Sequence, residues 1–135
     1  MPRHKQLFAW FLPWLFIGQM VLRAATVAEL RCEDLTNPLG IDTTSPRLSW
    51  MLHSSRRDQS QTAYQILVAS SSRKLADNEG DLWDSGKVVS DQSIQVSYAG
   101  TALPSRAECF WKVRVWDQVG KISDWSQPAQ WSIGL

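Results

Sequence analysis

Tryptophan is the residue type with the most chemical potential in this chain of 135 residues, which contains eight of them. Three of the tryptophans follow Arg114 toward the C-terminal end. A planar guanidinium stacks on indole rings in cation–π contacts worth about 0.5–2 kcal/mol each. The spacing predicts an aromatic and cation–π patch, in which Arg114 stacks between Trp116 and a tryptophan of the last strand, with the members Arg114, Trp116, Trp125 and Trp131.

Two uses of this patch are open at the level of the sequence. The rings could serve as a platform on which a sugar stacks, as in carbohydrate-binding modules. Aromatic side chains on a sheet face more often pack on a neighbouring side chain or on a docked domain. The pattern therefore favours a structural ladder or an interdomain patch over a sugar platform.

The two cysteines, Cys32 and Cys109, are a possible disulfide. Both occupy apolar positions in predicted strands, where cysteine is commonly a buried thiol. If their strands lie in opposite sheets about 10 Å apart, a bridge needs a close local approach of the two backbones. The pattern favours two buried thiols, and a bridge stays open.

No metal, cofactor or catalytic residue is predicted. Asp77, Glu79, Asp81 and Asp84 form an acidic cluster that lacks the donor spacing of a calcium loop, and a solvated turn is the favoured interpretation. His53, which lies in a polar stretch interpreted as a loop, is the only histidine after residue 24, whereas zinc needs four convergent ligands. Neither a nucleophile motif nor a convergent pair of carboxylates is recognisable.

Residues 1–24 are typical of a signal peptide. Arg3 and Lys5 precede the apolar run Leu7–Leu22, which is shorter than the roughly 20 residues that span a bilayer. Cleavage before Ala25 predicts a secreted or periplasmic protein without membrane contact, and an uncleaved segment would anchor it to the membrane. Without Arg3, Lys5 and Arg23 the 14 basic residues fall to 11 against 13 acidic ones, so the remaining net charge of −2 argues against nucleic-acid binding.

The remaining residues, 25–135, predict one all-β domain. Apolar residues alternate with polar ones and turn residues recur every 8–12 positions or so, which is typical of an immunoglobulin-like or fibronectin type III-like antiparallel sandwich. The strongest predicted strand is Ala107–Asp117, and Ser70–Gly80 holds one helical turn around Lys74–Asn78 or is irregular. About seven strands are predicted, near residues 26–32, 46–52, 64–68, 82–89, 94–98, 107–117 and 129–133.

Several strings occur together in one order along this chain. They are LRCEDLTNPLGIDTTSPRLSW (Leu30–Trp50), QTAYQILVAS (Gln61–Ser70), DLWDSGKV (Asp81–Val88), Tyr98-Ala99-Gly100, CFWKVRVWD (Cys109–Asp117) and SDWSQPAQWSIGL (Ser123–Leu135). The chain resembles the N-terminal fibronectin type III-like domain of bacterial α-L-rhamnosidases over nearly all of residues 29–135.

The resemblance implies an accessory domain whose partners are the other domains of a rhamnosidase. In that family an (α/α) barrel carries the catalytic acids that hydrolyse terminal α-L-rhamnose with inversion, and this chain has no counterpart of that barrel. No catalytic residue is therefore carried over, and the chain alone is expected to be non-catalytic. Two alternatives are a stand-alone exported carbohydrate-binding module, using Trp83, Trp116 or Trp125, and a stand-alone protein-interaction module.

Overall fold

The computed structural model describes residues 25–135. The predicted signal peptide or anchor, residues 1–24, lies outside the described residues. The described part contains seven strands and one short helix, which are β1 (Thr26–Cys32), β2 (Arg47–His53), β3 (Gln61–Ala69), α1 (Ser72–Ala76), β4 (Trp83–Asp84), β5 (Val96–Ser97), β6 (Glu108–Asp117) and β7 (Ala129–Ser132). Among residues 25–135, no helix is long and apolar enough to cross a membrane.

The strands form two antiparallel sheets, with the orders β1-β2-β5 and β4-β3-β6-β7. The predicted all-β, immunoglobulin-like sandwich of about seven strands is therefore confirmed. Three tryptophans, Trp50, Trp111 and Trp131, are fully buried between the sheets. The Trp50 indole N–H donates to the buried side chain of Gln61 at 2.9 Å, and this polar group of the core is thereby satisfied.

A bulge in β1 keeps the inner face of this strand apolar. Val27 and Leu30 are both buried although they are three positions apart, which simple alternation would not allow. Glu29 takes up the extra position with φ 52°, and the register with β2 shifts between Ala28 and Arg31. Such a bulge also makes an edge strand a poorer template for pairing with another chain.

Three local predictions need correction. The helical turn is Ser72–Ala76, two residues earlier than predicted, because the Ser71 hydroxyl caps it by accepting the N–H of Lys74. His53 ends β2 and does not lie in a loop. The strands predicted near residues 82–89 and 94–98 shrink to two residues each, and Gly86 turns the chain away from the first of them with φ 63°.

Candidate interaction surfaces

The outer face of the four-stranded sheet carries alternating cations and indole rings. The guanidinium carbon of Arg114 lies 4.4 Å from the ring centroid of Trp125 and 5.6 Å from that of Trp116. Lys112 Nζ lies 5.0 Å from the Trp125 centroid, and Lys87 Nζ lies 5.0 Å from the Trp116 centroid. These five side chains are called the cation–tryptophan ladder below.

Strand geometry accounts for the positions of three of the five ladder members, and hydrogen bonds from two serines account for the position of Trp125. Lys112, Arg114 and Trp116 alternate along β6 and therefore point to one face. Trp125 belongs to a segment held beside β6 by backbone and hydroxyl hydrogen bonds. Ser123 and Ser126 flank Trp125. The Ser123 hydroxyl accepts the backbone N–H of Val115 at 2.9 Å, and the Ser126 hydroxyl accepts that of Val113 at 3.0 Å.

Two of the three cations of the ladder, Arg114 and Lys112, also have polar partners. Arg114 Nε donates to Gln65 Oε1 at 2.9 Å, and Gln65 Nε2 donates to Asp84 Oδ1 at 2.9 Å. Lys112 donates to Asn78 Oδ1. The Lys112 side chain is almost wholly buried, so desolvation, and after it the charge of Arg114, lowers the pKa of its ammonium group. The ladder is thus a connected network and does not consist of isolated surface residues.

Trp131 was predicted to belong to this patch, and that part of the prediction is wrong. Trp131 is 1% exposed, and in the antiparallel pairing of β7 with β6 it lies directly opposite Cys109. Directly opposite residues of antiparallel strands point to the same face, and Cys109 faces the core. Trp131 therefore packs edge-on against Trp111 and Tyr98, with ring centroids 6.2 and 5.7 Å away.

The rings that were considered for sugar stacking are engaged by protein groups. Trp116 and Trp125 each contact two cations of the ladder. Trp83 lies edge-on to Tyr98, with ring centroids 5.4 Å apart, and packs against the core. A sugar would have to displace a cation or fit beside it in order to stack on either ladder ring.

Arg114→Ala is expected to lower the free energy of unfolding by about 1–2 kcal/mol, because both cation–π contacts and the hydrogen bond to Gln65 are lost. Urea unfolding followed by far-ultraviolet circular dichroism measures this change. Arg57→Ala is the matched control, since Arg57 is exposed in a loop. Equal stability of the two variants would show that the ladder does not stabilise the domain.

Cys32 and Cys109 are free, buried thiols in the structure, and no disulfide joins them. Cys32 belongs to β1 and Cys109 to β6, so they lie in opposite sheets. Desolvation, together with neighbouring negative groups, raises the pKa of each thiol to about 12. Thiols of this kind are poor nucleophiles at neutral pH because the reactive thiolate is scarcely populated.

Neither thiol is expected to react with a thiol-specific disulfide reagent at pH 8 while the domain is folded. The reason is twofold, since both sulfur atoms are inaccessible and both carry a proton. In denaturant without reductant, both thiols should react at once. Absorbance of the released chromophore counts them, and a count of zero in denaturant would reveal a Cys32–Cys109 disulfide.

Two of the four acidic residues considered as calcium ligands, Asp81 and Asp84, accept hydrogen bonds from neighbouring protein groups. Asp81 accepts hydrogen bonds from the backbone and hydroxyl of Ser70 and from Lys74. Burial acts to raise the pKa of Asp81, but these hydrogen bonds and the lysine charge outweigh it and lower the pKa. Asp84 binds Gln65 and the N–H of Gly86. Across the described residues, no three His, Cys, Asp or Glu side chains converge as a metal site would require.

Two packed antiparallel sheets, with one outer face covered by the domain's own helix and ladder, define an immunoglobulin-like module. Residues 27–135 match the family model described as "Rha78A-like, N-terminal immunoglobulin domain", and the chain belongs to this family.

The relatives of this chain are named α-L-rhamnosidases. The protein from Streptomyces avermitilis is 47% identical over 114 residues, which are 84% of this chain and 11% of that protein. One from Formosa agariphila is 42% identical over 100 residues, 74% of this chain and 10% of the relative. The crystal structure of the Streptomyces avermitilis enzyme complexed with L-rhamnose superposes with a TM-score of 0.79 at 48% identity, over 83% of this chain and 11% of that one. The α-L-rhamnosidase from Dictyoglumus thermophilum also gives a TM-score of 0.79, at 41% identity over 82% of this chain and 12% of that one.

Proposed function

We propose that this chain is the accessory domain of a secreted α-L-rhamnosidase and packs against the other domains of that enzyme. The match of residues 27–135 to the family model carries the proposal. The chain spans about a tenth of the length of the curated relatives, so most of such an enzyme, and its hydrolysis of α-L-rhamnosides, belongs to other domains. The domain itself contributes stability and position, and takes no part in the chemical step.

The fold suits such a role. The two sheets enclose a core of buried tryptophans, and the ladder ties one outer face together. A rigid module loses little conformational entropy when it docks, so its contacts stabilise the partner domain more effectively. A role in sugar binding has less support, because both ladder rings already contact two cations each.

Export is a second part of the proposal. The basic start and apolar run of residues 1–24 are those of a signal peptide that directs the domain out of the cytoplasm. Expression of residues 1–135 in a bacterium should yield a protein outside the cytoplasm that begins at Ala25, as read from its intact mass. A membrane-bound product with the mass of all 135 residues would support the uncleaved anchor instead.

Docking is tested by a calorimetric titration. Residues 25–135 are added to the Streptomyces avermitilis α-L-rhamnosidase from which the matching 114-residue segment has been removed. We expect saturable binding at one site, and no heat when L-rhamnose is added to the domain alone. If the domain does not bind the truncated enzyme but does bind L-rhamnose, the proposal is wrong and the results support a stand-alone carbohydrate-binding module.

A further inference from the structure

The two outer faces of the sandwich differ in how they are covered. On the four-stranded sheet, Leu75 of α1 packs over Leu67 and Ala69, and Phe110 and Trp125 complete this small second core. The remainder of that face is occupied by the cation–tryptophan ladder. The sheet therefore supplies its own cover.

The three-stranded sheet lacks such a cover within residues 25–135. Its outer face forms a groove of about 490 Å³ between β1, β2 and the segment before β5. Its lining includes two exposed large apolar side chains, Met51 at 54% exposure and Ile94 at 63%. Arg31, Glu29 and Asp34 also line the groove. This surface, lined by both Met51 and Ile94, is called the Met51–Ile94 groove.

Hydrogen bonds hold the groove in a fixed shape. The carbonyl of Ser93 accepts the backbone N–H of Trp50 at 2.9 Å, and the N–H of Gln95 donates to the Ser49 hydroxyl at 3.0 Å. Gln95 Nε2 also donates to Asp34 Oδ1 at 3.1 Å. Ile94 stands between these attachment points and is therefore fixed beside β2. A preformed groove binds a partner at a lower entropic cost than a mobile loop does.

We propose that the Met51–Ile94 groove is the face that binds another domain of the same α-L-rhamnosidase, a proposal that rests on the proposed function. An apolar centre with charged residues around it is the usual anatomy of an interface. The two carboxylates, Glu29 and Asp34, outnumber the single guanidinium of Arg31, so the groove accepts an apolar side chain flanked by a basic one. The occupant is a domain of the same enzyme because relatives of this chain are about ten times its length.

The double variant Met51→Lys/Ile94→Lys tests the groove in the titration with the truncated Streptomyces avermitilis enzyme. We expect the dissociation constant to rise about tenfold or more, because two charges would be buried in an apolar contact. The control is Val119→Lys, at a position that is 78% exposed in the turn between β6 and β7 and outside the groove, and it should leave the dissociation constant unchanged. Both variants should unfold at the temperature of the wild-type domain, since all three side chains are exposed.

The outcomes of these titrations separate the docking face from the proposed function. Tight binding by the wild type and the double variant alike would overturn the groove as the docking face and leave the proposed function intact. Absence of binding by the wild type would overturn both. If sedimentation shows that the wild-type domain dimerises, and the double variant is monomeric yet binds the enzyme normally, the occupant is a second copy of this chain and the proposal is wrong.

Discussion

Trp131→Ala is expected to lower the free energy of unfolding by about 3–5 kcal/mol, the range typical of a buried tryptophan replaced by alanine. The indole lies between Trp111 and Tyr98 and is 1% exposed. Its removal leaves a cavity that rigid aromatic neighbours cannot fill. Urea unfolding monitored by circular dichroism at low temperature gives the loss directly.

Trp125→Ala is the matched control for this prediction. Trp125 is partly exposed and contacts two cations and the edge of the small second core, so its loss should cost about 1–2 kcal/mol. Because one tryptophan is replaced in each case, the comparison separates the core position from the surface position. Equal losses in the two variants, or a larger loss for Trp125→Ala, would return Trp131 to the surface patch that the sequence suggested.

Gly100→Ala is the second substitution with a large expected effect, at about 3 kcal/mol. A Cβ atom at this position would lie 2.3 Å from the carbonyl oxygen of Leu82, 2.5 Å from Trp83 Cβ and 2.6 Å from the Tyr98 hydroxyl oxygen. None of these atoms can retreat cheaply, because the same Leu82 carbonyl accepts the N–H of Thr101 and the hydroxyl of Tyr98. Thermal unfolding should therefore begin far below the wild-type temperature.

Gly120→Ala is the control that separates the steric clash of an added Cβ atom from the backbone strain of replacing a glycine. Gly120 has φ 80° in the turn after β6, and a Cβ atom there meets no neighbour within 4 Å. The expected cost is only the strain of the left-handed backbone, about 1–2 kcal/mol. Should Gly100→Ala prove no worse than Gly120→Ala, the close contact between the Tyr98-Ala99-Gly100 turn and Leu82 would be refuted.

Strong alternation of apolar residues made much of the fold predictable. The strand β6 was predicted within a residue of its bounds, and its inner face, from Cys109 to Val115, is buried as expected. Short-range patterns suffice for such features because each residue's environment follows from its own strand.

Features that depend on two distant segments escaped prediction. The placement of Trp131 follows from its register against Cys109, which a single strand does not specify. Trp125, a predicted member of the patch, takes the place beside Arg114 that was predicted for a tryptophan of the last strand, because Ser123 and Ser126 bind its segment to β6. The Met51–Ile94 groove likewise exists only because Ser93 and Gln95 attach a remote segment to β2.

Differential scanning calorimetry of a chimera tests most directly whether the domain is an integral accessory part of a rhamnosidase. In this chimera, residues 27–135 replace the matching segment of the Streptomyces avermitilis enzyme. Docking couples the unfolding of adjacent domains, so we predict that the transition of the inserted domain moves upward from its temperature in isolation. An inserted domain that melts as it does alone would contradict the account.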